Sequence, residues 1–295
     1  MARLRRGAWE SALSADGLAA IRSVGFEPTG QVFGAAVYQA NAISGTSCPG
    51  TGKRYADPSP EVPGATRAAV SEPDDFGPAG RIARALYDGR RTAIDRMAAE
   101  CAELGGHGVL GASVRVREIP ADVSSAGALE FKVMGTAVRA HGCGPGIRPF
   151  ACDLSGPDFA KLVMAGWVPA GIALGISVAA LHDDGLTTGP SRWGPANAEV
   201  PAYTDLMIKV RQGARIRLEQ AVRALGADGA VVSGMTLRVR ADACPRGGTD
   251  HFAEAVITGT SVARFASPAT TTLPPSLAVL SLDAGDRVKV ATARR

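Results

Sequence analysis

Between residues 201 and 225, Met207, Val210, Ala214, Leu218, Ala221, Val222 and Leu225 recur at steps of three and four. That period puts them on one stripe of an α-helix, with Lys209, Arg211, Arg215 and Arg223 lying off it. Leu86, Ala93, Met97, Cys101 and Leu104 draw the same stripe earlier in the chain. Each stripe ends in Leu-Gly (104–105 and 225–226), where a residue free to take positive φ stops a helix. Strands rich in Val follow at once, at 109–117 and 230–240. Further strands are expected at 30–39 and 130–139, and again at 171–181 and 253–264. A short helix opens each series, with Ser14 or Ser155 as N-cap and Leu18 and Ile21, or Phe159 and Leu162, on its apolar side.

The series is written twice. At a constant offset of 141, Ser14, Gly25, Pro28, Gly30, Gly34 and Val37 fall on Ser155, Gly166, Pro169, Gly171, Gly175 and Val178. Val114 to Arg117 meets Leu237 to Arg240, and Gly-Thr at 135–136 meets Gly-Thr at 259–260. Such ordered matches read as a tandem duplication. The fold class that follows is α+β: two tandem βαββ modules, each a three-stranded antiparallel sheet covered by one long helix, with a short leading helix. The first module spans 14–140, a connector 141–154, the second module 155–265, and a linker and C-terminal tail 266–295. Gly- and Pro-rich loops interrupt each module, at 41–80 and 182–201. Modules this thin bury little of their surface and leave two unpaired edges, so self-assembly is the physical expectation.

Residues 162–181 carry no charge, a length that alone would license a membrane span. Gly166, Pro169, Gly171 and Gly175 break it, and its counterpart in the first copy carries Arg22, Glu27 and Gln31, so no membrane insertion is expected. Net charge is only +4, with 32 basic against 28 acidic residues, and no aromatic interleaving accompanies the arginines, so no nucleic acid is expected. Five cysteines at irregular spacing argue against a disulfide framework. The basic N-terminus leads to Trp9, Glu10 and Asp16 rather than an apolar core, so no secretory signal is read there and a cytoplasmic location is expected.

The Gly-rich first strand, the junctions LGGHGVLG (104–111) and LGADGAVV (225–232) and the closing MGTAVR (134–139) and TGTSVAR (258–264) together resemble the YbjQ-like family, a family catalogued for heavy-metal binding. The resemblance covers both copies. It implies a βαββ fold of the dodecin-subunit type and assembly into a pentameric β/α ring. The long loops and the tandem arrangement depart from that pattern.

Chemistry is sparse. Soft metals such as zinc or copper need two to four thiolate or imidazole ligands. The best local cluster is His141 with Cys143 and Cys152, in the connector between the copies. Cys101 sits on the apolar stripe and reads as core. His107, just past a helix end, reads as satisfying backbone groups. His182-Asp183-Asp184 reads as a turn, and Glu100 with Glu103 as a solvated helix end. The run CPGTGKRY (48–55) lacks the first Gly and the Ser or Thr of a phosphate-binding loop. No G-x-S-x-G occurs. The helix arginines read as a solvated face that a ring would align into an anion-attracting surface. The sequence therefore points to a non-enzymatic, self-assembling, ring-forming protein. The alternatives are a heavy-metal-binding protein, and a small-ligand binder or enzyme using the two long loops.

Overall fold

The computed structural model describes residues 13–39, 69–71, 78–119, 128–144, 148–183, 199–244, 248–265 and 280–281. Its first half runs α1 (Ala15–Ser23), β1 (Phe26–Gln39), β2 (Ala69–Ser71), α2 (Pro78–Glu103), β3 (Gly108–Ile119) and β4 (Ala128–Ala140). The second runs β5 (Phe150–Ala151), α3 (Gly156–Met164), β6 (Trp167–Asp183), α4 (Pro201–Ala224), β7 (Gly229–Ala243), β8 (Thr249–Arg264) and β9 (Leu280–Ser281). The architecture is mixed α+β with two sheets, in the orders β1-β4-β3-β5 and β2-β6-β8-β7-β9.

Each half uses the same local devices. Ser14 and Ser155 cap α1 and α3, their hydroxyls accepting from the backbone N–H of Gly17 at 3.1 Å and of Asp158 at 3.3 Å. Gly105 and Gly226, at φ +68° and +65°, turn the chain out of the long helices. Antiparallel pairing of β1 with β4 slips between Pro28 and Gly30, and that of β6 with β8 between Pro169 and Gly171. Each long helix lies hard against one strand. A Cβ on Gly34 would strike the Ala93 carbonyl and the Met97 nitrogen, and one on Gly175 would strike the Ala214 carbonyl and the Leu218 nitrogen. Ala93 therefore corresponds to Ala214 and Met97 to Leu218, an offset of 121 along the helices.

The sheets are wider than the three strands expected from the sequence. The connector is not a loose linker: it adds β5 parallel to β3, with Phe150 beside Gly108 and stacked on Phe159 at 5.9 Å. From the first half's long loop, β2 pairs with β6 of the other sheet, and β9 pairs with β7.

Coverage of the two sheets differs. In β1 buried and exposed positions alternate, the mark of a sheet packed on one side. In β6 burial is continuous from Ala173 to Leu181. One side of β6 packs under α4, with Ala173, Ala179 and Leu181 against Val210, Ala214 and Val222. Its other side carries Ile176, Val178 and Ala180 into the cluster built around α2, beside Leu86, Met97 and Phe131. The layers thus run sheet, α2, sheet, α4. A third cluster joins Ile21 and Val138 of the first half to Phe159, Leu162 and Val262 of the second. Among the described residues no helix is long and apolar enough to cross a membrane.

Candidate functional site

Ligand-type side chains gather at the far end of the second sheet. β6 extends to Asp183, so His182 lies in a strand and not in the turn its sequence suggests. There His182 stands opposite Asp250 of β8, and His182 Nδ1 lies 2.7 Å from Asp250 Oδ1. Cys244, just past β7, completes the group, and the three ligand atoms lie within 4.8 Å of one another. Asp250 is 3% exposed and Cys244 6%. Asp242 of β7 faces Asp250 directly across the ladder, and its Oδ2 is buried without a hydrogen bond, with Arg240 Nε 3.6 Å away. Beside this group the Tyr203 hydroxyl sits 2.9 Å from His251 Nε2 and donates to Asp183 at 3.2 Å. Burial first, then the Asp183 charge, holds that phenol above its ordinary pKa.

The metal ligands expected in the connector are not brought to one point. His141 pairs at the surface with Glu27, 3.3 Å away, and Cys143 is exposed. Cys152 follows β5 into the apolar cluster between the halves, where burial drives its thiol pKa far upward. Among the described residues the single trio of His, Cys and carboxylate atoms gathered this closely is His182, Cys244 and Asp250. A donor set of one nitrogen, one sulfur and one oxygen suits a borderline divalent cation, whereas a thiol sealed in hydrocarbon and an exposed one do not.

Other candidates resolve into structural roles. His107 Nδ1 accepts from the Ala140 N–H at 3.1 Å, and Cys101 is buried with its pKa pushed up to about 11 by desolvation. Glu100 is more than a solvated helix end: its carboxylate accepts the Phe33 N–H at 2.7 Å. The helix arginines divide. Arg96 donates to the Ala35 carbonyl at 2.5 Å and Arg217 to the Ile176 carbonyl at 2.9 Å, equivalent positions on the outer edges of β1 and β6. Arg90 is buried over the Phe131 ring and faces Glu254 across the contact between the halves. Arg211, its counterpart at the 121-residue offset, is exposed. The run 48–55 and most of the loops at 41–80 and 182–201 lie outside the described residues.

Among the described residues two groups of apolar side chains are exposed. On the side of the first sheet away from α2, Phe33, Val37 and Met134 are 46%, 60% and 44% exposed. On the side of α4 away from the second sheet, Ile208 and Ile216 are exposed beside Arg211.

Residues 77–141, which hold α2, β3 and β4, match the family model YbjQ, described as "Putative heavy-metal-binding". The match takes in the helix–Leu-Gly–strand junction at 104–111 and the closing strand at 134–139 that carry the resemblance seen in the sequence. Over 158 residues the chain is 30% identical to a protein of Mycobacterium tuberculosis (strain ATCC 25618 / H37Rv) named as an encapsulin nanocompartment protein. That alignment takes in 52% of this chain and spans 58% of the relative's length.

Proposed function

We propose that this chain is a non-enzymatic, self-assembling protein. In this reading it arose by tandem duplication, and the helix-on-sheet stacking within one chain continues from copy to copy. The observation that carries the reading is the unequal coverage of the sheets. The second sheet is packed under helices on both sides, α4 on one and α2 on the other. Among the described residues the first sheet has α2 on one side and no helix on the other, which bears the exposed Phe33, Val37 and Met134.

The missing cover has a natural source. At the 121-residue offset Tyr87 and Arg90, which α2 turns toward the second sheet, become Ile208 and Arg211 on the exposed side of α4. Gly135 and Gly259 hold equivalent places in β4 and β8, which makes Glu130 the counterpart of Glu254. Setting α4 of one copy on the open side of the first sheet of the next would bury Ile208 against Phe33 and Val37. The same move would bring Arg211 toward Glu130, as Arg90 faces Glu254. One surface would then meet a different surface, and such a contact closes into a ring when its rotation allows. The ring implied by the family resemblance, and the nanocompartment in the relative's name, are in keeping with assembly.

Light scattering on the purified chain tests the reading. Particles at whole multiples of 30.2 kDa are expected, with one multiple dominant. A single 30.2 kDa species at about 10 µM chain would overturn it.

A further inference from the structure

We infer that His182, Cys244 and Asp250 form a binding site for one borderline divalent cation of the zinc class, independent of whether the chain assembles. β6, β8 and the residue just past β7 deliver three different donors to one point: an imidazole nitrogen, a thiol Sγ and a carboxylate oxygen, all within 4.8 Å. Nitrogen and sulfur donors select against calcium and magnesium, which take oxygen, and suit zinc, cobalt or copper. Three protein ligands leave a fourth tetrahedral position to water.

A second feature calls for positive charge at the same place. Asp242 and Asp250 are direct partners across β7 and β8, and like charges so opposed repel. Asp250 is almost fully buried, and the neighbouring Asp242 Oδ2 is buried without a hydrogen bond, its ion pair with Arg240 Nε being long at 3.6 Å. Without metal, His182 answers part of that need through its 2.7 Å contact with Asp250 Oδ1. A cation would replace the proton between them. The imidazole would then offer its Nδ1 lone pair with the ring proton on Nε2, and the Cys244 thiol would lose its proton on becoming a ligand. Affinity therefore falls as pH is lowered. At the aligned positions the first half carries Asn41 for His182 and Ala126 for Asp250, so the expected stoichiometry is one ion per chain.

The test uses the full chain, stripped with chelator and titrated with zinc chloride in a calorimeter. One zinc per chain is expected, with proton release that varies with the ionisation enthalpy of the buffer. Cys244→Ser and His182→Ala should each weaken binding at least about tenfold. Cys143→Ser, which alters the connector, should leave it unchanged. Cobalt chloride added to the unmutated chain gives a readout independent of any variant's folding: a thiolate-to-cobalt charge-transfer band in the near ultraviolet. No zinc binding at about 100 µM would overturn the inference, as would a cobalt complex without that band. Binding that survives both Cys244→Ser and His182→Ala would overturn it equally.

Discussion

The hydroxyl of Tyr87 accepts the backbone N–H of Ile176 at 3.0 Å, although the two residues belong to opposite halves of the chain. The same hydroxyl donates to the Leu174 carbonyl at 3.2 Å. Both backbone groups lie on the edge of β6 just short of Val178–Ala180, where β2 supplies the ladder. A strand edge left open inside a protein would strand polar groups, and Tyr87 closes this one where the neighbouring strand stops.

Removing only that hydroxyl tests its role. Tyr87→Phe keeps the ring in the apolar cluster but leaves the Ile176 N–H and Leu174 carbonyl without it, a loss of about 1–3 kcal/mol. The expected result is a lower urea midpoint with an unchanged slope. A midpoint equal to that of the unmutated chain would mean that water satisfies this edge equally well.

Glu254 links stability to pH. Burial raises its pKa above the ordinary carboxylate value, against the opposing attraction of Arg90 and Arg238. A carboxyl whose pKa is higher in the folded than in the unfolded chain binds its proton more tightly when folded. Stability is then greatest below the unfolded value and declines as pH rises through the interval up to the folded one. Glu254→Gln removes that titration while keeping the shape of the side chain. Urea midpoints measured from about pH 4 to pH 8 should decline more steeply with rising pH in the unmutated chain than in the variant. Parallel curves would show that the carboxyl is solvated.

Much of the fold was legible from periodicity, because helix stripes, caps and Leu-Gly stops are local. The uncharged run at 162–181 leads into a strand, as its glycines and proline predict, but the reason for its apolarity lies in packing: α2 of the other half covers the second side of β6. Its counterpart β1 keeps Gln31 and an exposed Phe33, and among the described residues no helix covers that side. Gly89 lies in the middle of α2. In the structure it makes room for Phe131, while at the equivalent contact Val210 meets the small Ala255. Size is exchanged across the interface, which no single-strand pattern reveals. The His182–Cys244–Asp250 group escaped for a similar reason. Its members are 62 and 6 residues apart, and only the register of three strands brings them together. A strand extended by two residues past Leu181 would have been the signal.

The connector's cysteines should differ sharply in reactivity. Cys143 is exposed, whereas Cys152 is sealed in the cluster between the halves and Cys101 sits on the buried face of α2 with its pKa pushed up to about 11. Thiolate is the reactive form, so burial suppresses reaction through both access and ionisation. Brief iodoacetamide treatment of the folded chain, followed by peptide mapping, should label Cys143 at least about tenfold faster than Cys101 or Cys152. Equal labelling of Cys143 and Cys152 would mean that β5 detaches readily from β3.

The proposed copy-to-copy contact makes a reciprocal charge prediction. Within one chain Arg90 of α2 faces Glu254 of the sheet that α2 covers, and both are largely desolvated. In the proposed contact between chains the matching pair would be Arg211 and Glu130, of which Arg211 is exposed and Glu130 lies 2.9 Å from Lys132. Arg211→Glu would set two carboxylates against each other at the contact, and Glu130→Arg would set two guanidinium groups. Each change should weaken association by about 1–3 kcal/mol per contact, roughly five- to 150-fold. The double variant restores opposite signs in reversed order and should recover most of the assembled fraction in sedimentation velocity. Neither single change touches a buried residue, so the circular dichroism of both should match the unmutated chain. If the unmutated chain assembles and both single variants assemble equally well, the copies meet through another surface. If the singles fall apart and the double variant does not recover, the loss comes from each substitution alone and not from this pairing.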